Sequence, residues 1–217
     1  MRKQLIAVAI AATGALLAVA PSLPASAASS AVLTIGSAGG TAVNVGDTVT
    51  ASLLSGTTST LSTSSGNITC PTSTFTATVT SNPTAPGTAD ESLTAQTFSG
   101  CTAKITGVTS VKSISVLDLP YNAAVSDSSD TLTLTAGSSG ALEVSAALNT
   151  VLGTVTCDYT ASSLVGSTSN SNNSVTFTSQ STTLLSGPGL CPKTGTFSAA
   201  YGPTKDTTQG SGLVFVN

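Results

Sequence analysis

The sequence predicts an all-β protein, namely an antiparallel β-sandwich or a partly closed barrel of ten or more short strands with two disulfides. Three observations predict this fold. Apolar residues alternate with Thr and Ser along much of the chain, as they do in strands with one solvated face. Clusters of Gly, Pro, Asn and Ser separate the alternating runs, as turns do. After the first 27 residues, no stretch has a convincing helical periodicity.

The chain begins with the pattern of a signal peptide, predicted for residues 1–27. Arg2 and Lys3 precede an apolar run from Leu5 to Ala20, and Ala25-Ser26-Ala27 has the small residues of a cleavage site. The apolar run is shorter than the roughly 20 residues that span a bilayer. We therefore expect a secreted, extracellular protein that starts near Ala28, has no membrane span after cleavage, and forms a single all-β domain over residues 28–217.

Several short runs place their apolar residues on one face of a strand. The segment from Leu142 to Leu152 alternates strictly and is followed by Gly153, which favours a strand over a helix. The predicted inward faces are Val49, Ala51 and Leu53; Phe75, Ala77 and Val79; Leu132 and Leu134; and Leu142, Val144, Ala146 and Leu148.

Two similar cysteine loops predict two β-hairpin modules, at residues 66–101 and 153–191, each closed by a disulfide. The first opens as Gly66-Asn67-Ile68-Thr69-Cys70 and closes at Cys101. The second opens as Gly153-Thr154-Val155-Thr156-Cys157 and closes at Cys191. Four cysteines allow three pairings, and the repeated loops favour Cys70–Cys101 with Cys157–Cys191. Such pairs are typical of exported proteins, and the shared opening is compatible with an internal duplication.

The composition excludes several functions. The chain has no His, so Ser-His-Asp and Cys-His catalytic arrangements and histidine-containing zinc sites cannot form. After the signal peptide the cations are four lysines, against nine acidic residues. Nucleic-acid binding needs clustered cations, so we expect no nucleic-acid partner. We predict no catalytic residue, no metal ligand and no cofactor.

The acidic residues leave two alternatives open. Asp90 and Glu91 are adjacent, and Asp127 and Asp130 are close in sequence. A carboxylate-dependent hydrolase is one alternative, although glycoside hydrolysis needs two carboxyls set apart across a sugar. The favoured interpretation is that these acids are solvated and lie in turns. The segment from Ser126 to Asp130 could also offer oxygen ligands to Ca²⁺, but it lacks the Gly and the distal Glu of a recognised loop.

The segment Asp118-Leu119-Pro120-Tyr121 combines an apolar residue, a turn former and an aromatic residue. Leu119, Pro120 and Tyr121 are therefore a candidate ligand or partner patch. The favoured alternative is that Pro120 ends a strand and that Tyr121 packs beneath it.

Four strings of the mature chain resemble a group of small exported actinobacterial proteins that are labelled only by their export signal and given no activity. The strings are Gly39-Gly40-Thr41-Ala42-Val43, Phe75-Thr76-Ala77-Thr78-Val79, Ser92-Leu93-Thr94-Ala95-Gln96-Thr97-Phe98 and Lys205-Asp206-Thr207-Thr208-Gln209-Gly210. Some members have twin-arginine signals. This chain has Arg2-Lys3 instead, which favours the general secretory route.

A second group of motifs is similar to the bacterial alkane-oxidation activator family, whose members are exported, β-rich proteins with four cysteines. The motifs are Cys70 followed by Phe75, Thr97-Phe98-Ser99-Gly100-Cys101, Leu119-Pro120, and the loop from Val155-Thr156-Cys157 to Cys191. The resemblance implies an accessory role in contact with hydrocarbon, without catalysis.

These observations favour a non-enzymatic secreted or cell-wall-associated protein with a structural or interaction role. The alternative is a binding module or accessory activator for an apolar small molecule such as a hydrocarbon or lipid. A filled core favours the first role and a sizeable interior pocket favours the second.

Overall fold

The computed structural model describes residues 30–217, so the predicted signal peptide lies outside the described residues. The described residues form eighteen strands and no helix, and thus no helix long and apolar enough to cross a membrane. The strands are β1 (Leu33–Ile35), β2 (Thr41–Ala42), β3 (Thr48–Ser52), β4 (Ser59–Thr63), β5 (Gly66–Cys70), β6 (Thr72–Ser81), β7 (Thr88–Ser99), β8 (Thr102–Ile105), β9 (Val108–Leu117), β10 (Tyr121–Ser126), β11 (Thr131–Thr135), β12 (Leu142–Thr150), β13 (Gly153–Ala161), β14 (Ser163–Ser169), β15 (Ser174–Ser186), β16 (Thr194–Tyr201), β17 (Lys205–Asp206) and β18 (Gly212–Val216).

Eight of the strands pair into a closed ring, and every pairing in it is antiparallel. The order is β3, β6, β7, β10, β11, β14, β15 and β16. The ring closes where the end of β16 returns to the end of β3. There Leu53 bridges to Tyr201, Leu54 N–H donates to the carbonyl of Ala200 (2.9 Å), and Gly202 N–H donates to that of Ser52 (2.8 Å). The all-β antiparallel prediction is confirmed, and closure brings the architecture nearer to the predicted barrel than to an open sandwich.

A second group of strands continues from β15 and β16, two neighbouring strands of the ring. The last residues of β15 leave β14 and pair with β13, which pairs with β12 and then β9. On the other side, β16 pairs with β4, which leads to β5 and β8. The change of partner on β15 coincides with a register shift between Phe177 and Gln180, where Ser179 has a φ of 48°. A bulge of this kind bends a strand and re-aims its side chains.

The buried side chains form two clusters, which we call the first and second cores. The first core is built mainly from the inward faces of the ring strands, with residues of β1, β12 and β18 added, and it includes Val49, Ala77 and Tyr201. The second core is built from the continuing strands and includes Ile68, Leu148 and all four cysteines, of which Cys101 is only partly buried. The buried positions on β3, β6 and β12 follow the alternation expected from the sequence.

Both disulfides have the predicted pairing, Cys70 with Cys101 and Cys157 with Cys191. The first encloses a hairpin of β6 and β7. The second encloses the end of β13 and a hairpin of β14 and β15. Because the bonded cysteines pack in the second core, the disulfides stabilise that core. The extension formed by β17, β18, β1 and β2 continues from β3 and packs in the first core through Leu33 and Val214.

Candidate functional site

The first and second cores do not fill the space between them. A cavity of about 150 Å³ lies at their junction and is lined by side chains from both. Four of the lining residues are alanines, on four different strands. Alanine at an inward position leaves empty the volume that Leu or Phe would fill. The inward-facing alanines therefore leave space between the strands. The four alanines are Ala77, Ala123, Ala146 and Ala161.

Aromatic residues are concentrated around this cavity. The chain has five Phe, three Tyr and no Trp, and seven of these eight aromatic residues line the cavity, Phe215 being the exception. The rings of Phe75 and Tyr201 meet edge to face at 5.4 Å, and those of Phe177 and Tyr201 do so at 6.4 Å. Such contacts stabilise a particular ring arrangement by about 0.5–1.5 kcal/mol each beyond the burial of area. The wall is thus apolar and positioned by ring contacts.

One group of polar side chains in the wall is internally satisfied. The Tyr201 hydroxyl lies 2.9 Å from the Oγ of Ser73, and Gln96 Nε2 donates to Ser73 Oγ (2.7 Å) and to the Tyr201 hydroxyl (3.0 Å). Burial raises the pKa of Tyr201 to about 12, against the opposing effect of these hydrogen bonds. The hydroxyl therefore stays protonated near neutral pH.

The predicted patch of Leu119, Pro120 and Tyr121 is divided by the structure. Leu119 and Pro120 lie in the connection between β9 and β10; Leu119 packs against the first core and does not line the cavity. Tyr121 begins β10, is buried and lines the cavity. Its hydroxyl accepts from Glu143 N–H (2.8 Å) and donates to the carbonyl of Leu117. Tyr121 therefore joins the ends of β9 and β12 beside the cavity.

Glu91 is a cavity residue that the sequence interpretation missed. It lies on the inward face of β7 between Ala89 and Leu93, and only 6% of it is exposed. Its cross-strand neighbours are Val79 and Ala123, both apolar. The interpretation of Asp90 and Glu91 as solvated turn acids is wrong in two respects. Glu91 is buried, and both residues lie in strand β7 and not in a turn. The sequence does indicate that Glu91 is buried, because Ala89, Glu91 and Leu93 follow the period-two pattern of a buried strand face.

The Glu91 carboxyl has an unusual environment. Within residues 30–217, no hydrogen bond reaches it and no lysine lines the space around it. Burial raises the pKa of this carboxyl to about 7, because an apolar surrounding disfavours the charged form. Asp90, the next residue, is exposed on the opposite face of β7, so the two adjacent carboxyls do not converge.

Glu91 also borders a second, smaller cavity of about 30 Å³. Phe75, Leu132 and Val175 line both cavities together with Glu91. The surface of the smaller one is mainly apolar as well, but its wall includes the exposed polar residues Ser169 and Asn170. A cavity of this volume can hold about one or two waters. Glu91 therefore lies between the larger interior cavity and a smaller one that reaches exposed polar residues.

The other acidic residues singled out in the sequence lie elsewhere. Both carboxylate oxygens of Asp127 accept from Gly87 N–H at 3.0 Å, which ties the turn after β10 to the turn before β7. Asp130 is exposed in the same turn. Over residues 30–217, no group of three or more potential metal-ligating side chains converges. The structure therefore does not bring these residues together with Glu91.

The architecture and the cavity define this protein as a disulfide-stapled antiparallel β protein with an apolar cavity between two cores. No family model, no curated protein and no solved structure matches the chain.

Proposed function

We propose that this protein binds a small apolar molecule in the cavity between its two cores and that it has no catalytic role. The observation that carries the proposal is the cavity itself, with about 150 Å³ of space and a wall made mainly of aliphatic and aromatic side chains. An apolar cavity of similar volume in another protein stays dry and binds benzene. An unfilled space of this kind lowers stability, and a ligand that fills it offsets that loss.

The volume limits the ligand. Sites for drug-sized molecules enclose roughly 300–1,000 Å³, so a cavity of about 150 Å³ suits a single ring or a short branched chain. The resemblance of the cysteine loops to alkane-oxidation activators supports the same class of ligand, a hydrocarbon or a molecule with a hydrocarbon body. On this proposal the protein holds or delivers such a molecule as an accessory.

We further propose that binding takes place outside the cell. Two disulfides are typical of oxidising compartments. Residues 1–27 also have the composition of a signal peptide.

Titration of the purified protein with toluene, followed by ¹H–¹⁵N NMR, tests the proposal. We expect saturable shifts at amides of strands that line the cavity, such as β10 and β12. Ala146→Leu places three more carbon atoms into the cavity and should weaken toluene binding by at least roughly tenfold. Ala147→Leu is the matched control, because Ala147 lies next to it on the outward face of β12. The proposal is wrong if toluene does not saturate, or if both variants bind it as the wild type does.

A second candidate is contact with a partner or with the cell wall, favoured by the tip of the β12–β13 hairpin. Val151 and Leu152 are 83% and 96% exposed there, although isolated exposed apolar residues are common on soluble proteins. Sedimentation with purified cell-wall fragments tests this role, with the double variant Val151→Ser and Leu152→Ser as the comparison. Equal sedimentation of variant and wild type, or none by either, would argue against the hairpin tip as the contact.

A further inference from the structure

Glu91 and the aromatic wall together indicate which class of small molecule the cavity accepts. A carboxyl that is nine-tenths buried normally has a partner, because removing a charged or polar group from water without one costs several kcal/mol. Among the described residues Glu91 has none. The missing partner therefore has to be supplied from outside the chain or replaced by a proton.

The aromatic residues favour a positively charged partner. Aromatic faces carry partial negative charge and attract cations, most strongly where water is excluded. Phe75 lines both cavities alongside Glu91, and its ring contacts Tyr201, which in turn contacts Phe177. An ammonium group near Glu91 would thus have a carboxylate as counter-ion and rings beside its apolar body.

Other ligand classes fit less well. An anion would be repelled by the carboxylate, and no lysine of the described residues lines either cavity to attract it. A bound Ca²⁺ needs six to eight oxygen ligands, whereas the wall is mainly apolar. A neutral hydrocarbon would occupy the space but would leave Glu91 without a partner.

The smaller cavity suggests the orientation of the ligand. Its wall includes Asn170 and Ser169, both exposed, and Glu91 stands between it and the larger cavity. A charged head at Glu91 would be next to polar groups, and the attached apolar body would extend into the 150 Å³ space.

We propose that the cavity binds a small organic cation, an ammonium group on an apolar body of about one ring, with Glu91 as its counter-ion. This inference rests on the proposed binding function and names the class of ligand. The ammonium must bind the ionised carboxylate, so binding displaces the proton that Glu91 otherwise retains.

The pH dependence follows from the groups around the cavity. Tyr121, Tyr159 and Tyr201 face it from β10, β13 and β16, and burial raises the pKa of each, so all three stay neutral near pH 7. Glu143 on β12 also borders the cavity, and burial together with the charges of Asp118 and Asp158 raises its pKa. Glu91, whose pKa is about 7, changes charge near neutral pH, and affinity for an ammonium should rise as the pH increases through that range.

Three single-ring probes of similar size test the inference: toluene, benzyl alcohol and benzylammonium, each titrated by NMR at about pH 6 and about pH 8. We expect benzylammonium to bind wild type at the higher pH at least roughly tenfold more tightly than either neutral probe. Glu91→Gln should remove this advantage, so that benzylammonium binds the variant no more tightly than the two neutral probes. Asp90→Asn, which removes the adjacent exposed carboxylate, should bind all three probes as the wild type does.

The outcomes separate the two proposals. If toluene binds and benzylammonium binds no better, or if Glu91→Gln leaves the ammonium advantage intact, the cation inference is overturned and the apolar site stands. If no probe binds, both are overturned. If Glu91→Gln does not fold, the wild-type pH profile decides, since an ammonium affinity that is flat between the two pH values also overturns the inference.

Discussion

The hydroxyl of Tyr201 lies 2.9 Å from the Oγ of Ser73, and this contact joins two ring strands, β16 and β6, that do not pair with each other. Both side chains are buried. Gln96 on β7 donates to both oxygens, so three strands share one polar cluster inside an apolar wall. Buried polar groups that are satisfied in this way help to specify one arrangement of a core, since any other arrangement would leave them without partners.

Tyr201→Phe should lower the free energy of unfolding by about 1–2 kcal/mol, because Ser73 and Gln96 each lose a buried hydrogen-bond partner. The measurement is equilibrium denaturant unfolding of variant and wild type. The ring and its contacts with Phe75 and Phe177 are retained, so the loss reports the hydroxyl alone.

Tyr159→Phe is a matched control for that prediction. Tyr159 is as buried as Tyr201 and lines the same cavity, but no hydrogen bond of its hydroxyl is found within residues 30–217. Removal of the Tyr159 hydroxyl should therefore change stability by less than about 0.5 kcal/mol. Equal losses in the two variants would show that the polar cluster contributes nothing specific.

The strands and their inward faces could be predicted because the face of each side chain depends only on the local period of two. Val49, Ala77 and Leu148 are buried as expected. The disulfide pairing also followed from the repeated loops. Closure of the ring could not be predicted, since it depends on Leu53 meeting Tyr201 across most of the chain.

The candidate site was harder to predict than the fold. Tyr121 was singled out, and it does line the cavity, but the volume of that space depends on how alanines from four strands meet. The interpretation of Glu91 as a solvated turn acid is wrong, although its position in the period-two pattern of β7 favours the interior. At Glu91 the charge of the side chain favours the outward face of β7, and the period-two alternation favours the inward one. The side chain lies on the inward face, and burial raises the pKa of its carboxyl.

The repeated Gly-x-[Ile/Val]-Thr-Cys opening has a structural reason that leads to a prediction. Gly66 and Gly153 start β5 and β13 with φ of 133° and 120°, a region that other residues rarely adopt. A Cβ on Gly66 would lie 1.7 Å from the carbonyl oxygen of Lys104, whereas a Cβ on Gly153 would meet nothing within 4 Å. Gly153→Ala should therefore lower stability by about 1–3 kcal/mol, and Gly66→Ala by more, as measured by thermal unfolding. The opposite order would contradict this account.

The two disulfides offer a second matched comparison. Their sequence separations are 31 and 34 residues, so the loss of loop-closure entropy should be similar, about 4 kcal/mol for each. Cys157 and Cys191 are both buried, whereas Cys101 is only half-buried. The double variant Cys157→Ala and Cys191→Ala should thus lose more stability in denaturant unfolding than Cys70→Ala with Cys101→Ala. Equal losses would mean that packing of the sulfurs adds nothing to the entropy effect.

Glu91 should make stability depend on pH in the neutral range. Burial raises its pKa from the usual 4.5 to about 7, so between these values the folded protein retains a proton that the unfolded chain releases. The free energy of unfolding then falls as the pH rises, by about 3 kcal/mol over this window, and is level above it. Denaturant unfolding of the wild type at a series of pH values between about 4.5 and about 8 measures this slope.

Glu91→Gln should remove that slope, because glutamine stays neutral at every pH. The difference between the two stability curves isolates the contribution of Glu91, since the other titrating groups are common to both proteins. The variant should be close to wild type or slightly less stable at about pH 4.5, where both side chains are neutral, and more stable than wild type at about pH 8. Asp90→Asn changes the neighbouring exposed carboxylate and should leave the slope in place. Parallel curves for wild type and Glu91→Gln would mean that Glu91 is solvated or paired in the folded protein.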